Sequence, residues 1–185
     1  MATAASRKGV LNCFKRSSSE VQWYFSQVPR LLPGFPYEVA LAYVFLRAEE
    51  AHNRALYCGV VKLLRGDAVL VDIAVNKHHL TREGFRELFC RIFGHQVPSD
   101  AAAKMAKAEE TRDKCIHGKD APEPELRQAI VDVLEYADAM NVFIFGIAGF
   151  KPFGSLQGFK GRGRGEALDR TATRWLLKGL GFDIA

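Results

Sequence analysis

No run of apolar residues in this chain approaches the roughly 20 that a membrane-spanning helix requires. The opening residues, MATAASRKGVLNCFKR, hold no apolar stretch long enough for a secretory signal. Cysteine is sparse. Cys13, Cys58, Cys90 and Cys115 stand far apart, with no CxxC pair and no matching pair of histidines, so neither a disulfide framework nor a structural zinc site is expected. His52, His78, His79 and His95 also lack ligand spacing, and we expect no metal or other cofactor. Repeats and low-complexity tracts are missing apart from one short Gly/Arg segment. These absences lead us to expect a reduced, cytoplasmic protein with no membrane association. Its 185 residues, 48% of them hydrophobic, suffice for a buried core.

Charge is unevenly spread. Residues 1–16 carry Arg7, Lys8, Lys15 and Arg16 against no acid. Residues 151–185 carry seven basic side chains against Glu166, Asp169 and Asp183, while the middle is mildly acidic. Basic ends on an acidic body suit contact with a polyanion, although composition alone favours simple solubility.

Helical periodicity dominates. A first helix is expected over about 19–31, and a long one from Pro36 to Leu64 with Gly66 beyond its end. The stretch DAVLVDIAVNKHH fits a short strand or a helical connector equally well. Thr81 caps an expected helix over 82–93 that Gly94 ends, and Ser99 or Asp100 caps the next. Pro122 opens a helix with the stripe Leu126, Ile130, Val133 and Ala137. Residues 142–165 read as irregular, and a last helix covers about 166–179, ending at Gly181. The expected fold is all-α, an antiparallel helical bundle over 19–141, preceded by a basic arm (1–18) and followed by a basic, partly irregular C-terminal segment (142–185).

Two of these helices interrupt their own apolar pattern. In the long helix, positions 39, 43, 46, 50, 53, 57, 60 and 64 form a stripe broken by Glu50 and Asn53. In the helix after Ser99, Arg112 lies on the stripe of Ala101, Met105, Ala108 and Cys115. A lone buried carboxylate costs several kcal/mol without a partner, so Glu50 is expected within reach of Arg112, directly or across a dimer, with Asn53 as a second candidate. Such a pair serves catalysis or merely fixes helix register. The long helix also has a second apolar face.

Asp113 and His117 are four residues apart and can share one helical face. His117 stands at the end of its helix, where unpaired carbonyls favour positive charge. Arg112 lies five residues from His117, about 140° around an ideal helix, so only its length would let it join the imidazole at one phosphate. A His followed by Gly is equally the description of a helix cap.

The run RDKCIHGKD, at the end of one helix in an all-helical chain, resembles the motif of HEPN domains: Arg, four to six residues, then His, commonly with a polar residue right after the Arg. Asp113 fills that polar place, and the resemblance spans roughly residues 36–141. It implies a metal-independent endoribonuclease, toxin- or defence-like, acting as a homodimer that brings two motifs into one cleft. By that resemblance Arg112 binds the scissile phosphate, His117 is general acid/base, Asp113 orients the imidazole, and the products are a 2′,3′-cyclic phosphate and a 5′-hydroxyl. An antitoxin or other regulatory protein is a further implied partner. Lys119 stands where members silenced by nucleotidyltransferases often carry tyrosine, so the resemblance does not extend to control through that residue. The alternatives are a catalytically silent module binding RNA, nucleotide or protein, and a helical interaction subunit in which Arg112 is structural.

Beyond residue 141, GFKGRGRG supplies Lys160, Arg162 and Arg164 on a flexible glycine-rich background, and Arg170, Arg174 and Lys178 recur every four residues. With Lys119, these are the expected RNA-binding cations. Phe150, Phe153 and Phe159 either stack on bases or dock the segment; docking is the reading we adopt.

Overall fold

The computed structural model describes residues 4–157, 159 and 166–184, and among them every regular element is an α-helix. They are α1 (Arg7–Arg16), α2 (Ser19–Tyr24), α3 (Val28–Gly34), α4 (Tyr37–Leu63), α5 (Ala68–Lys77), α6 (Arg82–Phe93), α7 (Ser99–Ile116), α8 (Glu123–Ala148) and α9 (Arg170–Leu180). The chain forms two compact units, one of Met1–Glu50, Pro98–Phe143 and Phe153–Ser155, the other of Ala51–Val97, Ile144–Pro152 and Leu156–Ala185. These limits differ from the arm, bundle and tail read from sequence. Two of the boundaries, at 50/51 and 143/144, fall inside helices, α4 and α8, each about 40 Å long at 1.5 Å per residue and so able to serve two cores.

Unit 1 begins with a helix where the sequence reading set apart a basic arm. Ser6 caps α1 by accepting from the Gly9 amide at 3.1 Å, and Val10, Cys13 and Phe14 are buried. Cys13 and Phe14 each lie one helical turn from Val10, a stripe masked by the surrounding cations. The single helix expected over 19–31 is two. Pro29 lacks an amide hydrogen and is costly in the interior of a longer helix, so α2 closes at Phe25 and Pro29 falls in the first turn of α3. Asp138 on α8 ties down the start of α2, accepting from the Ser18 amide at 3.1 Å and its hydroxyl at 2.5 Å.

The core of unit 1 centres on Phe153, whose ring meets Tyr24, Phe25 and Tyr136 at centroid distances of 5.7, 6.1 and 5.9 Å. Asn141 on α8 holds it there. Its amide nitrogen donates to the Phe153 carbonyl at 2.8 Å, and its amide oxygen accepts from the Phe153 N–H at 2.9 Å. All four groups are buried, so this side chain supplies both partners that a non-helical backbone needs inside a core. Phe150 is buried in unit 2, where it meets Phe93 at 6.3 Å and Phe159 at 5.7 Å. Both buried phenylalanines are packing residues.

Unit 2 holds a row of phenylalanines on α6, Phe85, Phe89 and Phe93, one turn apart and all buried. His52 stacks on Phe85 at 4.0 Å, and burial pushes its imidazole down to about 3, so it stays neutral. Burial likewise pushes the Cys58 thiol up to about 12. The helix α6 spans the expected 82–93, with Thr81 accepting from the Gly84 amide and Gly94 left-handed at φ 68°. The stretch left open between strand and helix is α5, capped by Asp67. Residues 142–148, expected to be irregular, continue α8: Gly146 costs about 1 kcal/mol of helix propensity, outweighed by burial of Ile144 and Ala148. Asp169 accepts from the amides of Thr171 and Ala172, so the last helix starts at Arg170 rather than 166. Thr173, fully buried, accepts from the Asp67 amide at 3.0 Å, and Arg91 donates to the Leu180 carbonyl at 2.8 Å.

The Asn141 clamp gives a first prediction. Asn141→Leu keeps the volume but strands a buried N–H and a buried carbonyl, each costing about 1–3 kcal/mol. We expect a loss of about 2–5 kcal/mol in urea unfolding. Loss below about 1 kcal/mol would show that water satisfies Phe153 instead.

Candidate functional site

The end of α7 is built by its backbone. The Gly118 amide donates to the Cys115 carbonyl at 3.2 Å and the Lys119 amide to the Lys114 carbonyl at 2.8 Å, with Gly118 left-handed at φ 66°. This pair of bonds is a Schellman motif, and it makes His117 the C-cap, with φ −88° and ψ 14°. The helix begins at Ser99 after an N-cap at Pro98, with neither Ser99 nor Asp100 in the capping position. Lys114 and Glu125 form an ion pair at 2.7 Å that raises the lysine pKa and joins α7 to α8.

His117 is exposed, and its imidazole makes no hydrogen bond or ion pair among the described residues. Asp113 does not orient it. The carboxylate accepts instead from Arg112, through Nε at 3.2 Å and Nη2 at 3.0 Å. The helical bond from the His117 amide to the Asp113 carbonyl is intact at 3.0 Å, so the backbone still puts the two residues one turn apart, and it is the ion pair with Arg112 that takes the carboxylate. The third guanidinium nitrogen, Nη1, donates to Glu49 Oε1 at 3.2 Å, and the plane lies over the Phe45 ring at 4.7 Å. Arg112 is thus half-buried, its side chain 26% exposed, against 62% for Glu49 and 47% for Asp113.

The expected partnership of Glu50 with Arg112 is not formed within the chain. Glu50 is exposed and pairs with Arg47, one turn earlier on the same helix. Asn53 is half-buried in unit 2. The buried face of α4 is not the 39/43/46/50 stripe but the second apolar face: Ala40, Leu41, Val44, Phe45, Ala48, Ala51, Ala55 and Leu56 are buried. Val39 and Leu46 are exposed. Recurrent alanines on one face, which let helices approach closely, were the available signal for the correct side, and rotating by one residue exchanges Glu50 for Glu49. Phe45 beneath the guanidinium was missed for the same reason. A buried carboxylate on α7, Glu109, also escaped notice.

Lys119, Arg170, Arg174 and Lys178 are exposed. Lys160, Arg162 and Arg164 lie outside the described residues. Among the described residues no cluster of His, Cys, Asp or Glu is arranged to hold a metal ion, and no helix is long and apolar enough to cross a membrane. Chemically, the end of α7 offers an exposed imidazole and a fixed guanidinium five residues apart, an acid/base group and an anion-binding group. No family model matches the chain, and neither a curated protein nor a solved structure matches it.

The exposed pairing of Arg112 contributes little to stability. Arg112→Ala is expected to cost no more than about 1–2 kcal/mol, mostly lost packing on Phe45. Gly118→Ala forces a left-handed alanine and should cost about 1 kcal/mol, altering the backbone that sets the His117 position. Urea titrations of both variants check the two values, and an Arg112→Ala loss above about 4 kcal/mol would mark Arg112 as a structural keystone.

Proposed function

We propose that the chain is a HEPN-like, metal-independent endoribonuclease whose catalytic groups are His117 and Arg112. The single observation that supports this most is the joint exposure of the imidazole and fixing of the guanidinium at one helix end. In the reaction, the ribose 2′-oxygen bonds to phosphorus as the P–O5′ bond breaks. The 2′-hydroxyl proton passes to a base and a histidine returns one to O5′, leaving a 2′,3′-cyclic phosphate and a 5′-hydroxyl. Arg112 stabilises charge on the non-bridging oxygens. Asp113 and Glu49 are positioning residues that hold the guanidinium.

A homodimer belongs to this reading, since one Arg/His pair supplies few groups for the reaction. Its support is a seam of exposed residues on α4, Phe35, Val39, Ala42, Leu46 and Glu49, spaced four and three apart just before and along the helix in unit 1. This seam ends at the carboxylate that holds Arg112. A cytoplasmic setting, a toxin- or defence-like role and a regulatory protein partner complete the proposal. A second reading, a silent RNA-binding module, is favoured by the commitment of Nε, Nη1 and Nη2 of Arg112 to carboxylates.

Incubation with mixed RNA in EDTA, followed by end-group analysis, separates the two. The enzyme yields cyclic-phosphate ends, and His117→Ala slows cleavage by at least about 100-fold with fold and RNA binding retained. Binding without cleavage selects the silent module, and wild-type rates in His117→Ala end the enzyme reading. Leu46→Glu should convert a micromolar dimer into a monomer by light scattering and abolish cleavage. An active monomer would remove the two-fold site.

A further inference from the structure

The helix α9 combines three features that its sequence alone did not join. Arg170, Arg174 and Lys178 are exposed on one ridge, recurring about every 6 Å along the axis. None is in an ion pair among the described residues, and α9 carries no acidic side chain. Beside that ridge stands Trp175, 73% exposed, one position beyond Arg174 and one turn before Lys178. The opposite face is taken: Thr173, Leu177 and Leu180 are buried in unit 2.

An indole costs free energy in water, and Leu177 and Leu180 of the same helix are buried. Fixed cations at regular spacing match the repeating charge of a polyanion, and an aromatic plane among them matches an unpaired base. A lipid surface fits less well. Interfacial helices insert a broad apolar face, whereas Leu177 and Leu180 of α9 are already buried and only Trp175 and the half-buried Leu176 remain. Duplex RNA offers no unstacked base to a flat indole.

We propose that α9 is a single-strand nucleic-acid platform, with Trp175 stacking on a base and Arg170, Arg174 and Lys178 contacting the adjoining phosphates. This rests on the RNA reading above and gives it a substrate class, single-stranded RNA. It does not depend on catalysis. Trp175 recognises a base by its face and so without strong preference for sequence, while the cations set the salt dependence.

The test uses the full chain carrying His117→Ala, so that RNA survives, and Trp23→Phe, so that Trp175 is the one remaining tryptophan. Intrinsic fluorescence is followed while adding a short oligouridylate, an abasic ribose-phosphate oligomer of equal length, a duplex of equal length, or vesicles of phosphatidylcholine and phosphatidylserine. The oligouridylate should quench Trp175 strongly and the abasic strand and duplex weakly. Trp175→Ala, measured by anisotropy of labelled oligouridylate, should weaken binding about ten-fold without changing the salt slope, and Trp175→Phe should restore most of it. Neutralising Arg170, Arg174 and Lys178 to glutamine should flatten that slope by about 0.7 per lost contact. Equal quenching by the abasic strand, unchanged affinity in Trp175→Ala, or a blue shift with vesicles alone would each overturn the platform. Cleavage by the wild-type chain without a Trp175 response defeats this inference only; a Trp175 response with no wild-type cleavage defeats only the ribonuclease reading.

Discussion

Unit 1 depends on one side chain doing the work of a strand. Phe153 sits in non-helical chain within a core otherwise made of helices, and its backbone would carry an unanswered donor and acceptor there were Asn141 not facing it with both. With that pair satisfied, the ring can fill the space between Tyr24, Phe25 and Tyr136. Tyr24 in turn donates to the Arg47 carbonyl at 3.0 Å and lies beneath the Arg47 guanidinium at 4.0 Å, and Arg47 holds Glu50. A chain of contacts therefore runs from a buried amide to the exposed surface of α4.

The same chain explains what was readable from the residues alone. Caps and breakers act locally, so Thr81, Gly94 and Gly181 placed their helix ends correctly. The stripe Leu126, Ile130, Val133 and Ala137 is buried because α8 is enclosed on all sides over this stretch, every residue from Ala129 to Leu134 being buried. The long helix α4 has two apolar faces, and only tertiary packing chooses between them; alanines decided it, and the choice moved the partner of Arg112 from Glu50 to Glu49. Asn141 and Trp175 could not have been singled out, since an amide within an apolar helix and a tryptophan within an amphipathic one acquire meaning only from what lies opposite them.

Arg112 and His117 were legible as types and as a spacing, while their surroundings were not. Asp113 and His117 remain one helical turn apart, but the carboxylate is taken by Arg112, so Asp113 supports the guanidinium and the imidazole stands alone. The backbone at His117 is fixed by main-chain bonds, the guanidinium of Arg112 by side-chain ones. Changes in side chains nearby therefore act on Arg112, and changes in backbone act on His117.

The charge count around Arg112 has an implication for selectivity. One guanidinium faced by two carboxylates is a locally negative cluster, so an isolated small anion meets net repulsion and must evict Glu49 with a single contact to offset the loss. A polymer of phosphates, held elsewhere by several contacts, arrives with its local concentration already raised and can displace the carboxylate at little further cost. Within the ribonuclease proposal, Glu49 is a competitor ion built into the chain, one that tells a tethered phosphate from a free one.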